Sequence, residues 1–535
     1  MSTPTTATPL TIPKLEYTPV NDVATIAART RRTFLEHKTR DVEWRLGQLR
    51  KLYWGIKDNE ALLTEASRLD LGRSELETQV GEIIWCENDI LFCCDNLPKW
   101  AEDEKAPDIE LAHWAVRPKI RKDPLGNVLI LGAYNFPLQL TFGPLIGAIT
   151  AGCTAVIKPS ELAANTAVVL QKIVEEYLDP EAYGVVQGAV PETTALLDQK
   201  WDKIFYTGGA GVGTIIAKKA AETLTPVTLE LGGRNPAIVT KTADVHLAAR
   251  RLLWGKHINA GQVCIGHNYT IVDREVLPLF VEELKVALKM FYPNGARASP
   301  DYARIVNDRH FLRIKAMLDN TSGKILIGGT MDEKDKFIEP TVVMVEDQND
   351  SMLTEESFGP LLPILAVDDL DQAIRVANEV HSTPLGIYPF GKKAETDKIL
   401  RETRSGGASI NDSYFHGTIP TLAFGGVGDS GQGSYRGKSS FDCFTHRRSI
   451  TNTPGWFEML LSVRYPPYAG KLGKMQSMMV RKPNFDRQGR VKRNFAKLLL
   501  TLGGGDGKAA AGRWVILVLG MYLTPPLSSS YVVEE

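Results

Sequence analysis

The chain has 535 residues, a formal net charge of −1, 43% apolar residues and 23% charged residues. These proportions are those of an ordinary folded protein, and they exclude a wholly disordered or collagen-like chain. A charge this close to zero also argues against a nucleic-acid-binding protein, and the length allows two large domains with extensions or three to four smaller domains.

The N-terminal region does not have the pattern of a secretory signal. Residues 1–20 have neither a basic segment nor an apolar run, so we expect a loose leader and a cytoplasmic protein. The six cysteines include one adjacent pair and no C-x-x-C spacing, which predicts no disulfide framework and no metal site, and favours a reducing compartment. Residues 22–70 carry apolar positions at helical spacing, which predicts amphipathic helices packed on a core.

From residue 125 the pattern alternates between strands and helices. Strands are predicted at 127–132, 154–158, 183–187 and 203–206, and helices at 144–150, 162–177, from 191, and at 211–222. Such alternation predicts βαβ units and a parallel sheet, and so a nucleotide-binding type of fold for 110–231. A second alternating stretch runs from 232 to 410, with strands at 237–240, 268–272 and 362–366. The predicted fold class is therefore α/β with two parallel-sheet lobes.

Two motifs at strand ends are candidates for binding a nucleotide. Gly208 and Gly213 lie in a glycine-rich turn between a strand and a helix, where free backbone N–H groups can approach a phosphate. Lys158 and Glu161 follow another strand and offer a donor and an acceptor to ribose hydroxyls. Taken alone, the glycine motif is equally compatible with an ordinary tight turn, and Lys158 with Glu161 is more often a solvated ion pair.

The pairing of Glu230 with Cys264 points to covalent chemistry. Glu230 lies in an apolar strand that runs into two glycines, so its carboxyl group should be poorly solvated and its pKa raised, as a general base requires. Cys264 follows a Gly-Gln turn, whose free N–H groups could stabilise a thiolate and an oxyanion. A buried structural cysteine and an edge-strand glutamate remain the alternatives for each residue alone.

Several ordered motifs resemble those of the aldehyde dehydrogenase superfamily, from about residue 25 to 470. The resemblance looks closest to the class 3 and fatty-aldehyde branch, whose fungal members include enzymes for long-chain aldehydes and for apocarotenals such as β-apo-4′-carotenal. The matching segments are Tyr134-Asn-Phe-Pro137, Lys158-Pro-Ser-Glu161, Tyr206-Thr-Gly208, Glu230-Leu-Gly-Gly233, Gly261-Gln-Val-Cys264, Glu355-Glu-Ser-Phe-Gly-Pro360, Phe424 to Lys438 and Arg464-Tyr-Pro-Pro-Tyr468.

The resemblance implies NAD(P)-dependent oxidation of an aldehyde through a thiohemiacetal and a thioester. Cys264 would be the nucleophile, Asn135 an oxyanion donor and Glu230 the base that activates water. Lys158 and Glu161 would hold the adenosine ribose, Gly208 and Gly213 the pyrophosphate, and Glu356 with Phe358 the nicotinamide ribose and ring. The carboxylate of Glu161 favours NAD, although class 3 relatives can accept NADP as well. Ser357 and His267 depart from the bulky apolar residue and the proline usual at these positions; His267 is interpreted as a loop residue.

The same resemblance implies a domain plan and a homodimer. The cofactor-binding domain would span 21–231 and the catalytic domain 232–429. A β oligomerisation arm would comprise 430–450 and part of 100–120, and a tail would follow at 451–535.

The tail raises the question of membrane contact. Residues 464–497 carry ten Lys or Arg against one acid, a local charge of +9 that leaves −10 for the remainder. The apolar run at 514–523 is too short to span a bilayer, but a basic segment beside short apolar runs is typical of an interfacial anchor. We therefore expect an enzyme on the cytosolic side of a membrane that acts on a long apolar aldehyde. An acylating or esterase-type use of the same cysteine, a non-catalytic binding protein, and a solvated basic tail stay open as alternatives.

Overall fold

The computed structural model describes residues 11–109, 111–479, 483–491 and 513–516. These residues form two compact units. The first comprises the described residues up to Lys105 together with Lys119–Ile450, and the second comprises those of Ala106–Pro118 and of Thr451–Glu535. Both predicted lobes belong to the first unit.

A layer of helices opens the first unit, where the sequence predicts amphipathic helices. Its members are α1 (Val20–Leu35), α2 (Val42–Asp58), α3 (Glu60–Leu71), α4 (Glu75–Thr78) and α5 (Ile84–Ala101), with a π-helical segment, Gln79–Ile83, between α4 and α5. Asp41 caps α2 by accepting from the N–H of Trp44 at 2.8 Å. Leu46, Leu49 and Leu52 on α2 are buried in the core that covers the first sheet.

The described residues ahead of α1 are held against this unit. The N–H of Thr18 donates to the carbonyl of Gln187 at 2.9 Å, and the N–H of Gln187 donates to the Thr18 hydroxyl at the same distance. Ile12 packs against the core. Residues 11–19 therefore differ from the loose leader expected for 1–20, and residues 1–10 lie outside the described part.

The first sheet follows two short strands, β1 (Glu104–Lys105) and β2 (Lys119–Pro124). Five of its six strands are parallel and lie in the order β7-β6-β3-β4-β5, and the sixth, described below, pairs with β7. They are β3 (Asn127–Leu131), β4 (Thr154–Lys158), β5 (Tyr183–Val185), β6 (Lys203–Thr207) and β7 (Val227–Glu230). The connecting helices are α6 (Gln139–Ala151), α7 (Ala164–Tyr177), α8 (Val190–Leu197) and α9 (Ala210–Ala221). All four predicted strands and the four helices are present.

The second sheet has seven strands in the order β10-β13-β14-β9-β8-β15-β16, all parallel except β10. The strands of this region are β8 (Asn235–Val239), β9 (His267–Asp273), β10 (Lys324–Ile327), β11 (Met331–Asp332), β12 (Phe337–Ile338), β13 (Thr341–Val345), β14 (Leu361–Val367), β15 (Gly386–Phe390) and β16 (Gly407–Ala408). The helices are α10 (Val245–His257), α11 (Leu277–Phe291), α12 (Asp308–Asp319), α13 (Ser351–Thr354), α14 (Leu370–Val380), α15 (Lys393–Glu402) and α16 (Phe415–Thr418). Two parallel-sheet lobes of an α/β fold are therefore confirmed.

The chain then returns to the first sheet. β17 (Gly431–Gln432) pairs antiparallel with β7, α17 (Lys438–Cys443) follows, and β18 (Thr445–Ile450) pairs antiparallel with β2 in a three-stranded sheet with β1. Tyr435, Phe441 and Phe444 are buried in the first core. Of the arm predicted at 430–450, only β18 therefore lies in the separate sheet, because the apolar side chains before it pack inside the lobe.

The second unit contains the short helices α18 (Glu458–Leu461) and α19 (Leu472–Met479). In the described part of the chain, no helix combines the length and apolar composition needed to cross a bilayer. Much of the basic stretch, including Arg481, Lys482, Lys492, Arg493 and Lys497, and the apolar residues 517–523 lie outside the described residues.

Candidate active site

A cavity of about 800 Å³ lies in the first unit, at the carboxyl ends of the strands of the first sheet. Strands β3, β4, β6 and β7 all end at this edge, so the loops that follow them converge there. Eight of the nine predicted site residues line the cavity: Asn135, Lys158, Glu161, Gly208, Glu230, Cys264, Glu356 and Phe358. Residues separated by more than 220 positions in the chain thus share one cavity.

Gly213 is the predicted site residue that does not line the cavity. It lies in the first turn of α9 on the face towards the sheet, where a Cβ atom would come within 2.9 Å of Leu231 Cδ2. Its glycine therefore permits close packing of α9 against the end of β7. This differs from the contact with the pyrophosphate that the resemblance implies.

The glycines that border the cavity leave room for a ligand close to the backbone. A Cβ atom at Gly208 would lie only 2.2 Å from the Tyr206 hydroxyl, so a side chain would collide there. A Cβ atom at Gly209 would have no other atom within 4 Å, so the space beside this residue is open. Gly209 is the N-cap of the 12-residue helix α9, and Gly209, Ala210 and Val212 line the cavity. The first N–H groups of a helix have no partner within it and can bind an anion. This turn fits a cofactor phosphate, and the cavity has the volume range of a ligand pocket.

Lys158 and Glu161 lie beside each other at the end of β4. Lys158 is buried, and its Nζ donates to Glu161 Oε2 at 3.0 Å and to the carbonyl of Pro159 at 3.2 Å. The Glu161 side chain is 28% exposed and faces the cavity. The pair leaves one carboxylate oxygen of Glu161 available to a ribose hydroxyl.

A strained loop presents Cys264. Asn259, Ala260 and Gly261 have φ values of 51°, 50° and 77°, a left-handed run that the first two residue types rarely adopt. The thiol is half-buried, and backbone N–H groups of Ile265 and Cys264 point to its sulfur. Burial first, then the nearby Glu356 and Glu230 carboxylates, raise the pKa of the Cys264 thiol to about 12. The loop therefore presents a neutral thiol to the cavity at neutral pH.

Asn135 lies in the loop between β3 and α6 and is buried. Its side-chain amide nitrogen donates to the carbonyl of Gln262 at 3.1 Å, two residues before Cys264. An amide N–H in this position is available as a hydrogen-bond donor to an oxygen on the carbon that Cys264 attacks.

Glu230 is the last residue of β7 and is 3% exposed. Neither of its carboxylate oxygens has a hydrogen-bond partner among the described residues. Burial raises the pKa of this carboxyl group well above its usual value. Such a group is an effective proton acceptor once it is ionised.

Glu356 and Phe358 lie on the loop before β14. Burial raises the pKa of Glu356 to about 8, and Glu356 Oε1 has no partner among the described residues, so it can accept a ligand hydroxyl. A Cβ at Gly232 would lie 2.4 Å from Glu356 Oε2, so the glycine allows this carboxylate to approach. Phe358, at φ 47°, contacts the Tyr134 ring edge-on, with 6.0 Å between centroids.

No sequence motif indicates Lys256, which lies buried behind this loop on α10. Its Nζ donates to the Ser357 hydroxyl and to the carbonyl of His267, both at 3.2 Å. Burial lowers the pKa of Lys256 to about 7. Ser357, which departs from the family pattern, thus supplies a polar partner for a buried amine. His267 is not a loop residue: it begins β9, and burial lowers its pKa well below the usual value.

The protein has two α/β lobes, a glycine-rich turn between a strand and a helix, and a cysteine inside the cavity at the strand ends. Together these features are typical of a nucleotide-dependent oxidoreductase. The chain matches the aldehyde dehydrogenase family over residues 3–450. It belongs to this family, and it is therefore an NAD(P)-dependent enzyme that oxidises aldehydes.

The relatives that the chain resembles agree with this assignment. It is 53% identical over 523 residues to beta-apo-4′-carotenal oxygenase of Neurospora crassa, covering 97% of this chain and 98% of the relative. It is 40% identical over 454 residues to rat dimeric NADP-preferring aldehyde dehydrogenase, covering 85% and 99%. A solved structure of AldH from Staphylococcus aureus, in a substrate-bound state, superimposes with a TM-score of 0.83 at 37% identity, covering 86% and 99%.

Proposed function

We propose that this enzyme oxidises a long apolar aldehyde, an apocarotenal or a fatty aldehyde, to the carboxylic acid with NAD(P) through a thioester on Cys264. The observation that carries the substrate class is a set of exposed apolar side chains, called the rim below: Trp254, Phe415, Ile419 and Leu422. They flank residues 259–265, called the catalytic loop, and do not themselves line the cavity. The Neurospora relative, similar over nearly its whole length, is named for β-apo-4′-carotenal, a long polyene aldehyde.

Residues beside the rim place it next to the catalytic loop. Trp254 packs against Tyr414, with 6.0 Å between ring centroids. A Cβ at Gly417 would lie 3.3 Å from Cδ1 of Ile265, the residue after Cys264. Burying one CH₂ group of a substrate stabilises its complex by about 0.8 kcal/mol, so an aldehyde with a longer chain should bind more tightly to the rim.

In the proposed mechanism the Cys264 thiol, which is neutral at rest, first loses its proton to solvent water. The thiolate then attacks the aldehyde carbon and forms a thiohemiacetal. The Asn135 amide and the N–H of Cys264 donate to its oxyanion. NAD(P), when bound, supplies the hydride acceptor. Cys264 then holds the acyl group as a thioester, and Glu230 takes a proton from the water that hydrolyses it. The products are the acid, the reduced cofactor and one proton.

The cofactor would be held by residues along the cavity. We assign Lys158 and Glu161 to the adenosine ribose, the Gly208 turn to the pyrophosphate, and Glu356 with Phe358 to the nicotinamide ribose and ring. Two observations support this assignment: Glu356 Oε1 has no hydrogen-bond partner among the described residues, and the space beside Gly209 is open. Glu161 favours NAD, and the name of the rat relative is consistent with NADP as a second cofactor.

The alternatives use the same cysteine differently or not at all. An acylating enzyme would pass the acyl group to another nucleophile and would not need a base for water, so the buried, unpartnered Glu230 argues against it. A non-catalytic binding protein would not need the thiol, the amide and the carboxylate in one cavity.

A panel of aldehydes from C3 to C30, including apocarotenals, tests the substrate class by the absorbance of the reduced cofactor. We expect kcat/KM to rise by at least about 100-fold from propanal to C10, because several methylenes become buried. Phe415→Ser should lower kcat/KM for the long substrates by about 10-fold and leave propanal unchanged. Leu224→Ser is the matched control, since Leu224 is exposed beyond the far end of α9. A flat profile across the panel would contradict the proposal.

We also propose that the second unit lies on the cytosolic surface of a membrane. Large apolar side chains are exposed on its described residues: Trp456, Met459, Leu460, Tyr468 and Leu472. The sequence of 464–497 adds nine net positive charges to this unit. Exposed apolar side chains and a basic sequence are together typical of a segment that binds anionic lipid.

Co-sedimentation of the full chain with lipid vesicles tests whether the second unit binds a membrane. We expect binding to vesicles that contain about 30% phosphatidylserine and release at high salt, because the attraction is partly electrostatic. Replacing Arg481, Lys482, Arg487, Arg490, Lys492 and Arg493 with Gln should lower the bound fraction several-fold while kcat for a short aldehyde stays constant. Equal sedimentation of the two proteins would refute the basic anchor.

We finally propose a homodimer that forms through the three-stranded sheet. β18 is an edge strand of that sheet, and an edge offers unpaired backbone groups to a second copy. The rat relative is named as dimeric.

A further inference from the structure

Arg73 is a fully buried arginine that no motif accounts for. Its guanidinium forms an ion pair with Glu82, and both side chains are at most 2% exposed. It also donates to the backbone carbonyl of Asn135 and to Asn259 Oδ1, the latter at 3.3 Å. The Phe136 ring lies 4.6 Å from its central carbon. One side chain of the helical layer therefore contacts both the Asn135 loop and the catalytic loop.

Glu82 holds the other end of the Asn135 loop. Its second oxygen accepts hydrogen bonds from the N–H groups of Leu138 at 2.7 Å and Gln139 at 3.1 Å. These are the N–H groups where α6 begins, which have no partners within the helix. Arg73 and Glu82 thus fix both ends of residues 135–139.

The catalytic loop is connected to the same ion pair. Asn259 Nδ2 donates to the carbonyl of Asn135 at 2.9 Å and to that of Gln262 at 3.1 Å. The N–H of Asn259 donates to Glu77 Oε2 at 3.0 Å. Because Asn259 begins the left-handed run before Cys264, these contacts hold a conformation that the backbone does not favour by itself.

We propose that the Arg73–Glu82 ion pair is a clamp that positions the Asn135 amide against Cys264, so that Arg73 is a positioning residue for aldehyde addition. This inference rests on the proposed role of Asn135 as an oxyanion donor. A planar guanidinium has donors in three directions, and here they serve Glu82, Asn135 and Asn259 together. Arg73 uses a different nitrogen for each of these acceptors. A lysine carries its three N–H donors on a single nitrogen, which cannot occupy these three positions at once.

A purely structural ion pair is the competing interpretation. Buried ion pairs are often replaceable by apolar residues without loss of stability, so burial alone does not explain this one. What distinguishes the clamp is where its hydrogen bonds go: to the backbone of Asn135, of Leu138 and of Gln139, and to the side chain of Asn259.

Arg73→Lys in the full-length enzyme is the primary test. The variant keeps the charge opposite Glu82 and loses the simultaneous contacts with Asn135 and Asn259. We expect kcat for aldehyde oxidation to fall 10- to 100-fold, with KM for NAD within two-fold. The rate of Cys264 alkylation by iodoacetamide should stay within three-fold, since alkylation needs no oxyanion donor. Arg45→Lys is the matched control, because Arg45 is also buried and binds the carbonyls of Thr39 and Arg40 away from the cavity.

A double-mutant cycle with Asn135→Ala then separates the clamp from a general loss of order. If Arg73 acts through Asn135, adding Arg73→Lys to the Asn135→Ala protein should lower kcat by less than about two-fold. The clamp is overturned if the effects of the two substitutions on kcat are fully additive, or if Arg73→Lys lowers the rate of Cys264 alkylation as much as it lowers kcat. Either result leaves the role of Asn135 intact. An Asn135→Ala variant with normal kcat overturns the role of Asn135 itself.

Glu82→Gln keeps the inference testable if Arg73→Lys does not fold. Glutamine retains the shape and one acceptor for the α6 N–H groups but loses the ion pair. We expect a smaller fall in kcat, about five-fold, with the same non-additivity towards Asn135→Ala. An unchanged kcat in a folded Glu82→Gln protein contradicts the clamp.

Discussion

Replacing Cys264 with alanine will abolish aldehyde oxidation, with kcat lowered by at least about 10⁴-fold. Without the sulfur no thiohemiacetal forms, and hydride transfer from a free aldehyde hydrate lacks the covalent adduct that Asn135 would stabilise. NAD(P) binding should persist, because the thiol contributes little to the cavity wall compared with the glycine turn and Glu356. The measurement is the initial rate of cofactor reduction with decanal, alongside a fluorescence titration of the reduced cofactor.

Cys94→Ala is the control for this substitution. Cys94 is also a half-buried free thiol, but it lies on α5 and does not line the cavity. It should leave kcat within about two-fold of the wild-type value, as expected for a substitution away from the reacting atoms. A Cys264→Ala protein that retains a tenth of the wild-type rate would eliminate the thioester mechanism.

Replacing Glu230 with glutamine will separate the two halves of the reaction. Glutamine preserves the shape of the side chain but cannot take a proton from water, so hydrolysis should slow by about 10²- to 10⁴-fold. Acylation is unaffected, and rapid mixing with aldehyde and NAD should show a burst close to one reduced cofactor per active site. Hydroxylamine, which cleaves thioesters without a base, should restore turnover.

The raised pKa of Glu230 also sets a pH dependence. Burial favours the neutral acid, so the base form is lost as the pH falls through the raised pKa, and wild-type turnover should decline towards acidic pH. The Glu230→Gln protein should lose this dependence. Asp89→Asn is the matched control, because Asp89 is a buried carboxylate on α5 that does not line the cavity. Absence of a burst, or a burst with unchanged turnover, would show that Glu230 does not activate the water.

The sequence predicted both lobes because their strands are continuous apolar runs between amphipathic helices, a pattern that each segment carries by itself. β13 and β15 were not predicted. β15 contains Gly386 and Pro389, which disfavour a strand in isolation, and pairing with β8 and β16 stabilises it in the sheet.

At Gly213 the structure supplies a packing reason for the glycine. Its spacing from Gly208 suggested one glycine-rich loop, but α9 begins at Ala210, and the helical turn directs position 213 to the sheet. Packing against Leu231 then accounts for the glycine. The return of Tyr435, Phe441 and Phe444 to the first core was likewise not predicted, since nothing in a short apolar segment identifies which core receives it.

By itself the sequence determined the α/β class and the residue types of the chemistry, because strand periodicity, glycine turns and the Cys264 and Glu230 motifs are local. The tertiary structure decided which residues contact the candidate catalytic residues. Arg73 lies 62 positions from Asn135 and 186 from Asn259, and Asn135 lies 127 from Gln262, so no local pattern records these contacts. They exist because the buried polar groups must find partners in the interior, and folding alone brings those partners together.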